Sequence, residues 1–261
     1  MDFWQKIETD FNEDLLWNIP EQKQGSVNII GGNAQVFRAP VKVAEFLANN
    51  YPLKDVRLIV PSALKNQLPP LDNIVFLSST ESGSFSDEKE LSDIIKTADY
   101  NILIGDLSHN SNTARAVTGA CKNAASPLLI TRDSVDLLID NSTSTEKILQ
   151  NNQIAIFGTM AQLQKLLRSV YYPKMILLSQ SLMQIVETLH KFTLSYQISI
   201  VTFHGGSILV AKDGKVASIT LDKTKYTVLT LWSGELAGKI AALNLYNPNS
   251  SIEATICACL K

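Results

Sequence analysis

Two short segments place glycines where an apolar, strand-like run ends, a position at which backbone N–H groups can bind an anion. The first is residues 29–34 (IIGGNA), and the second pairs residues 204–207 (HGGS) with residues 231–238 (LWSGELAG). In the second segment Ser233 is a predicted helix cap, and the free N–H groups of that first turn could face a phosphate or a developing oxyanion.

Both segments also have a purely structural interpretation. The first fits a tight turn after an edge strand. The second fits a capped helix packed closely on the sheet through small residues, namely Ala237, Gly238, Ala241 and Ala242. The first segment lacks the dinucleotide pattern G-x-G-x-x-G, and no part of the chain has G-x-x-x-x-G-K-[ST].

The sequence offers little support for a metal site. Its histidines (His109, His190, His204) are not in H-x-x-x-H spacing, and a single residue separates Cys257 from Cys259. That separation is too short for a C-x2-C zinc knuckle, so we expect no metal bound by protein side chains alone.

Apolar runs alternate with helical stretches over the first 200 residues. The predicted strands are residues 26–30, 56–60, 73–77, 100–104, 127–130, 153–157 and 198–202. The predicted helices are residues 41–48, 112–124, 133–139, 160–170 and 182–192. A further helix is predicted to be capped by Ser86 or Asp87 and to end at residue 95. This alternation predicts a mainly parallel sheet covered by helices on both faces.

After residue 200 the pattern changes to antiparallel structure. Residues 207–211 and 215–219 flank Asp213-Gly214, a dipeptide typical of a hairpin turn. A further strand at 226–229 and helices at 233–245 and 251–260 complete the prediction. With no linker, charge block or repeat, residues 1–261 are predicted to form one domain, with residues 1–24 as an N-terminal extension.

Composition excludes several classes of protein. Lysines and arginines number 23 against 25 acids, which argues against a nucleic-acid partner held by bulk charge. No apolar run approaches the roughly 20 residues that span a bilayer. The N-terminus has no basic start followed by an apolar stretch, and the three cysteines are an odd number. We therefore expect a cytoplasmic protein without a membrane partner.

The order of motifs resembles the NAD(P)H-hydrate dehydratase family, a branch of the ribokinase-like superfamily, over roughly residues 20–261. Residues 24–32 resemble the family's opening strand G-x-V-L-V-I-G-G, and residues 101–105 its V-V-I-G-P-G-L-G strand. Residues 127–133 resemble the strand that runs into D-A-D-A-L. The closest match is residues 236–243 (LAGKIAAL) to L-A-G-I-I-A-A-L, which follows the family's G-T-G-D motif.

The resemblance implies a ribokinase-like three-layer αβα fold, with a mainly parallel central sheet and an antiparallel hairpin near the C-terminus. Family members use ADP or ATP to restore hydrated nicotinamide cofactors, and the superfamily's kinases phosphorylate hydroxyl groups of small molecules. The resemblance therefore implies that this chain binds a nucleotide or other small molecule, uses ADP or ATP with Mg²⁺, and forms a homo-oligomer.

The resemblance also assigns positions to the site. Nucleotide-binding positions would be Gly205, Gly206, Ser207, Ser233 and Gly234. Substrate-binding positions would be Asn33, Pro40, Gly105, Asp133, Thr159 and Gln162.

The chain departs from the family where the chemistry lies. The catalytic aspartate of G-T-G-D falls on Gly234, so Glu235, one residue later, is the nearest carboxylate. A shift of one helical residue turns a side chain by about 100°. Trp232 stands where a small residue is expected, the histidine and acid of T-P-H-x-G-E become Thr159 and Gln162, and the phosphate-facing lysine near residues 203–207 is missing.

Three hypotheses follow. The first is a diverged homologue with degenerate or lost catalysis that still binds a nucleotide or related ligand. The second is an active dehydratase or small-molecule kinase with a rebuilt site, using Glu235 or Asp133 as base. The third is a non-catalytic oligomeric interaction protein, with residues 171–173 and 182–189 as contact surface.

Overall fold

The structure is a computed structural model that describes residues 2–7, 18–69, 72–140, 142–220 and 232–260. Within these ranges the chain forms a ten-stranded sheet with the order β1-β10-β9-β8-β7-β6-β5-β2-β3-β4. The strands are β1 Trp4–Ile7, β2 Ser26–Gly31, β3 Asp55–Pro61, β4 Ile74–Leu77, β5 Tyr100–Gly105, β6 Leu128–Thr131, β7 Ile154–Phe157, β8 Ser199–His204, β9 Ser207–Lys212 and β10 Lys215–Thr220.

The strands from β4 across to β8 are all parallel, so their carboxyl ends share one edge of the sheet. Strands β8, β9 and β10 pair antiparallel, and β1 adds to β10 in parallel. All six residues of β5, in the middle of the sheet, are buried. A strand covered on both faces needs a continuous apolar run rather than an alternating one, which is what residues 102–104 provide.

Helices cover both faces of this sheet. They are α1 Arg38–Asn50, α2 Glu88–Ile95, α3 Ser111–Lys122, α4 Asp133–Asp140, α5 Ser142–Leu149, α6 Met160–Ser169, α7 Leu182–Ser195, α8 Glu235–Tyr246 and α9 Ser251–Leu260, with a 3₁₀ turn at Ser62–Leu64. Helices α1, α8 and α9 pack into the apolar cluster on one face, and α2 to α7 pack into the cluster on the other. Among the described residues, no helix is both long and apolar enough to cross a bilayer.

The α/β fold with a mainly parallel sheet and a C-terminal hairpin is confirmed. The local signals also hold: Asp87 caps α2 by accepting from the N–H groups of Lys89 and Glu90, and α6 buries Leu163, Leu166 and Leu167. The predicted strand at 226–229 lies outside the described residues.

Other elements differ from the predictions. Strand β2 lies between β3 and β5 in the middle of the sheet, so the interpretation of residues 29–34 as a turn after an edge strand is wrong. Trp4–Ile7, within the predicted N-terminal extension, forms β1 and pairs with β10, so the hairpin is not the outer edge of the sheet. Helix α5 was not predicted, because its first residues are Ser and Thr.

Candidate functional site

A buried ion pair lies at the carboxyl ends of β5 and β6. Arg132 Nη2 is 2.7 Å from Asp106 Oδ1, and the two side chains are only 11% and 6% exposed. Arg132 Nη1 also donates to the carbonyl oxygen of Ile104 at 3.4 Å, and Asp106 Oδ2 accepts from the backbone N–H of Ala39 at 3.2 Å. Arg132 Nε is buried and has no hydrogen-bond partner among the described residues. Each charge thus compensates the other where water is excluded.

Both members of this pair have strained backbones. Asp106 and Arg132 each have a φ of 58°, in the left-handed region that residues with a side chain rarely adopt. Gly105, just before Asp106, has a φ of 94°, and a Cβ there would lie 2.0 Å from Asp133 Oδ1. Such strain persists only where neighbouring contacts fix the backbone, and it concentrates at functional sites.

Asp133 supplies part of that fixation. Its Oδ1 accepts from the backbone N–H of Asp106 at 3.0 Å, and its Oδ2 accepts from that of Leu107 at 3.1 Å. The structure therefore places this predicted substrate-binding residue at the centre of the edge, with both carboxylate oxygens engaged by backbone.

Thr159 and Gln162 lie next to the pair, at the start of α6. They form a capping box, in which Thr159 Oγ1 accepts from Gln162 N–H and Gln162 Oε1 accepts from Thr159 N–H. The Gln162 amide nitrogen donates to the carbonyl oxygen of Arg132 and to Asp136 Oδ2, both at 2.7 Å. Gln162 is 5% exposed, and its hydrogen bond to the Arg132 carbonyl helps to hold the turn at Arg132.

Asn33 and Pro40 lie on the other side of the pair. Asn33 donates from Nδ2 to the carbonyl oxygen of Asp106 at 2.7 Å, and its Oδ1 accepts two N–H groups of its own turn. Pro40 is buried in the first turn of α1, where its Cγ would lie 3.0 Å from a Cβ added at Gly31. Asn33 thus helps to position the Asp106 loop, whereas Pro40 packs against the end of β2.

Trp232 covers the ion pair from the side of α8. The guanidinium carbon of Arg132 lies over the indole, 5.5 Å from the ring centroid, within the range of a cation–π contact. The Trp232 residue remains 37% exposed.

The first part of the second glycine segment, the β8–β9 turn, is exposed at Gly205. Gly205 and Gly206, with φ of 58° and 81°, form the two-residue turn between β8 and β9, a turn geometry that favours glycine. A Cβ at Gly205 would lie more than 4 Å from every atom of the residues that the structure describes. Ser207 is buried in β9, and His204 Nε2 lies 3.1 Å from the carbonyl oxygen of Gln180.

The start of α8 differs from the prediction. The N-cap is Gly234, with a φ of 81°, and not Ser233, whose Oγ accepts from Glu235 N–H at 3.4 Å. A Cβ at Gly234 would lie 2.8 Å from side-chain atoms of Ile104 and Val43, so the residue must be small to let the helix approach β5. The close packing of α8 through buried small residues is confirmed.

Glu235 is exposed in the first turn of α8. Within the described residues, its side chain has no hydrogen-bond or ion-pair partner. No three His, Cys, Asp or Glu side chains are grouped to hold a metal anywhere in the described ranges.

Sequence reasoning did not predict Asp106 or Arg132 as site residues. Each is a charged residue directly after a buried apolar strand, and that position could have singled them out. A cavity of about 400 Å³ lies at the opposite edge, lined by residues at the starts of β5, β7 and β8 and by the α8–α9 loop, and none of the predicted site residues line it.

The chain is similar to solved ribokinase-like structures. A ribokinase-like superfamily protein from Enterococcus faecalis superposes with a TM-score of 0.67 at 15% identity, over 100% of this chain and 87% of that one. Adenosine kinase from Anopheles gambiae, in complex with diadenosine tetraphosphate, gives 0.54 at 10% identity over 98% and 89%. An ADP complex of Bacillus subtilis pyridoxal kinase gives 0.52 at 13% identity over 91% and 89%.

The sequence matches no protein-family model and no curated protein. The similarity to these solved structures shows that the fold of this chain is ribokinase-like, which is the fold expected from its motifs. The Enterococcus faecalis protein is described by its superfamily alone, and the other two neighbours are kinases.

Proposed function

We propose that this chain is a ribokinase-like protein that binds a nucleotide or related small ligand at the carboxyl edge of its sheet and does not catalyse dehydration or phosphoryl transfer. The observation that carries this proposal is the buried Asp106–Arg132 ion pair. It fills the centre of the edge with two mutually compensating charges, so neither Asp106 nor Arg132 is free to act there as an acid or base.

The other carboxylates in this region support the same conclusion. Asp133 accepts two backbone N–H groups, and Asp136 accepts from Gln162 and pairs with Lys165 at 3.3 Å. A general base must reach its substrate's proton through a free lone pair, and its loss typically lowers the rate by about two to four orders of magnitude. The absent lysine removes a further charge that would stabilise phosphoryl groups.

Two features support retained binding. Two of the structural neighbours were solved as complexes with adenine nucleotides, one with ADP and the other with diadenosine tetraphosphate. In this chain, Gly205 is exposed at the carboxyl edge of the sheet, and the described residues leave open space around it. Magnesium would arrive bound to the nucleotide's own phosphates, which together with water satisfy its preference for oxygen ligands.

The binding half of the proposal is tested by thermal unfolding with ADP, ATP or AMP. A ligand that binds only the native state raises its stability by about 2.7 kcal/mol at a hundredfold excess over Kd. We expect at least one of the three to raise the Tm. No shift with any of them at millimolar concentration would overturn nucleotide binding.

A matched pair of variants locates the site. Gly205→Asp adds a negative charge to the open turn, whereas Gly205→Asn adds the same shape without charge, and both residues tolerate left-handed backbone. We expect the aspartate variant alone to weaken nucleotide binding, because it repels phosphates. Equal affinity of both variants would place the ligand elsewhere.

An active enzyme is the second candidate, and the exposed Glu235 favours it. This carboxylate has no side-chain partner among the described residues, so it is free to act as a base. Turnover of hydrated NADH with ADP or ATP that disappears in Glu235→Gln would establish this role. Unchanged turnover in that variant would remove Glu235 from it.

A self-associating protein is the third candidate. Tyr171 is 94% exposed and Met183 51% exposed, whereas Ile185, Val186 and Leu189 of the predicted contact helix are buried in the core. The contact surface would therefore be the 171–183 segment rather than the apolar face of α7. Light scattering tests this, and a monomeric mass would exclude it.

A further inference from the structure

Trp232 is a partly exposed aromatic side chain that has no part in the proposed loss of catalysis. One side of its indole carries the Arg132 guanidinium, and the residue keeps 37% of its surface exposed. Because Arg132 follows β6 directly, the contact places the indole over the carboxyl edge of the sheet. In open α/β sheets this edge is where ligands bind.

We propose that Trp232, backed by Arg132, is a stacking platform for an uncharged planar heterocycle, such as a purine base. The ring would lie on the indole face opposite the guanidinium, in the offset arrangement that aromatic pairs prefer. This inference rests on the proposed ligand-binding function and specifies the chemical class of its ligand.

The preference for an uncharged ring follows from the ion pair. Asp106 lies 2.7 Å from Arg132 and compensates its charge, so the group behind the indole carries no net charge. The ion pair itself therefore adds no long-range attraction for a cationic or an anionic ring. Stacking area and dispersion then decide affinity, and a fused neutral ring offers the most of both.

The groups on either side of Trp232 are held in place before any ligand arrives. Arg132 is held by Asp106 and by the carbonyl of Ile104, while its own carbonyl accepts from Gln162. On the other side, Gly234 fixes the chain two residues after Trp232 by packing against Ile104 and Val43. A surface fixed in its binding geometry loses little conformational entropy on binding, which favours affinity.

Calorimetric titration with AMP and with ribose 5-phosphate tests the proposal, using the wild-type chain, Trp232→Phe and Trp232→Leu. Stacking on an aromatic side chain changes affinity by about tenfold or more when the ring is removed. We expect Trp232→Leu to raise the Kd for AMP by about tenfold and Trp232→Phe by much less. Ribose 5-phosphate, which has no base, should bind all three proteins equally.

Tyr171→Leu is the matched control, because Tyr171 is an exposed aromatic residue at the end of α6, away from the ion pair. It should leave AMP affinity unchanged. Tryptophan fluorescence gives a second readout: AMP should quench the wild-type signal, and Trp232→Phe should abolish that quenching while keeping most of the affinity.

The outcomes separate this inference from the proposed function. If AMP binds wild type and Trp232→Leu equally, the stacking platform is wrong and nucleotide binding stands. If Trp232→Leu weakens ribose 5-phosphate as much as AMP, Trp232 shapes the site and does not stack on a base, which also overturns the inference. If no probe binds any of the proteins, the proposed function fails, and the platform fails with it.

Discussion

Two groups of glycines at the carboxyl edge of the sheet lie in opposite surroundings. At the ends of β2 and β5 the backbone is closely packed: a Cβ at Gly31 would lie 2.5 Å from the carbonyl oxygen of Gly105, and one at Gly105 would collide with Asp133. At the β8–β9 turn, a Cβ on Gly205 would have no neighbour within 4 Å in the described part of the chain. We call the first region the closed segment and the second the open segment.

The difference separates two reasons for glycine. In the closed segment the glycines allow strands, the Asp106 loop and α4 to meet, and this packing holds the ion pair. In the open segment Gly205 is required only because the turn needs a positive φ, and the described residues leave the space around it free for a ligand. Substitutions in the closed segment should therefore change stability, and those in the open segment should change binding.

The largest effect is expected for Arg132→Met. This change leaves the buried Asp106 carboxylate without its partner, which typically costs about 3–5 kcal/mol. Urea unfolding gives the free energy directly. The double variant Asp106→Asn/Arg132→Met should recover part of the loss, because it removes both charges. A loss below about 1 kcal/mol in the single variant would show that the pair is not buried as described.

Gly105→Ala should come next. Its φ of 94° and the 2.0 Å approach to Asp133 leave no room for a methyl group. We expect a loss of about 3 kcal/mol from backbone strain and displaced packing. Gly205→Ala, with a φ of 58° and open surroundings, should lose only about 1–2 kcal/mol. Equal losses in urea unfolding would contradict the distinction between the two segments.

The sequence predicts most strands and helices well, but it does not predict the difference between the closed segment and the open segment. The apolar run of β5 and the Asp213-Gly214 turn specify their elements locally, so both were predicted. The pairing of Asp106 with Arg132 depends on β5 and β6 being neighbours, and no local pattern carries that information. Strand β1 was missed because four residues at a sheet edge give almost no periodic signal.

The positive φ values of Asp106 and Arg132 could not be predicted either. Turns that require a positive φ are signalled by glycine, and neither residue is one. The N-cap of α8 also differs from the prediction, which was Ser233. In the structure the N-cap is Gly234, because close contact with Ile104 and Val43 determines that turn. Tertiary packing has overridden the local capping preference there.

A pH effect should come from the core beside the closed segment. Burial raises the pKa of the Cys121 thiol from 9.0 to about 12, next to Ile30 and Leu103. A raised folded-state pKa stabilises the protein fully below the unfolded-state value, and that stabilisation is lost as pH rises through the folded-state value. Stability should therefore fall between pH 9 and 12.

Cys121→Ala tests this assignment. The variant lacks the thiol, so its free energy of unfolding should decline less steeply with alkaline pH than that of the wild type, by up to about 1.4 kcal/mol per pH unit. Parallel profiles of the two proteins would show that the thiol does not contribute. The unfolded-state reference comes from the same titration in urea.

The smallest effect is expected for Glu235→Gln. The side chain is exposed and has no partner among the described residues, so stability should change by no more than about 0.5 kcal/mol. A large loss of stability would mean that Glu235 makes a structural contact at the start of α8.

The central claim is that the carboxyl edge binds without reacting. Its most direct test is to add the purified chain and ADP or ATP to hydrated NADH and to follow the near-ultraviolet absorbance of restored NADH. With Asp106 and Arg132 compensating each other and Asp133 held by backbone N–H groups, we predict no recovery above the spontaneous rate, even where calorimetry shows the nucleotide bound. Multiple turnovers of the hydrate would contradict the account.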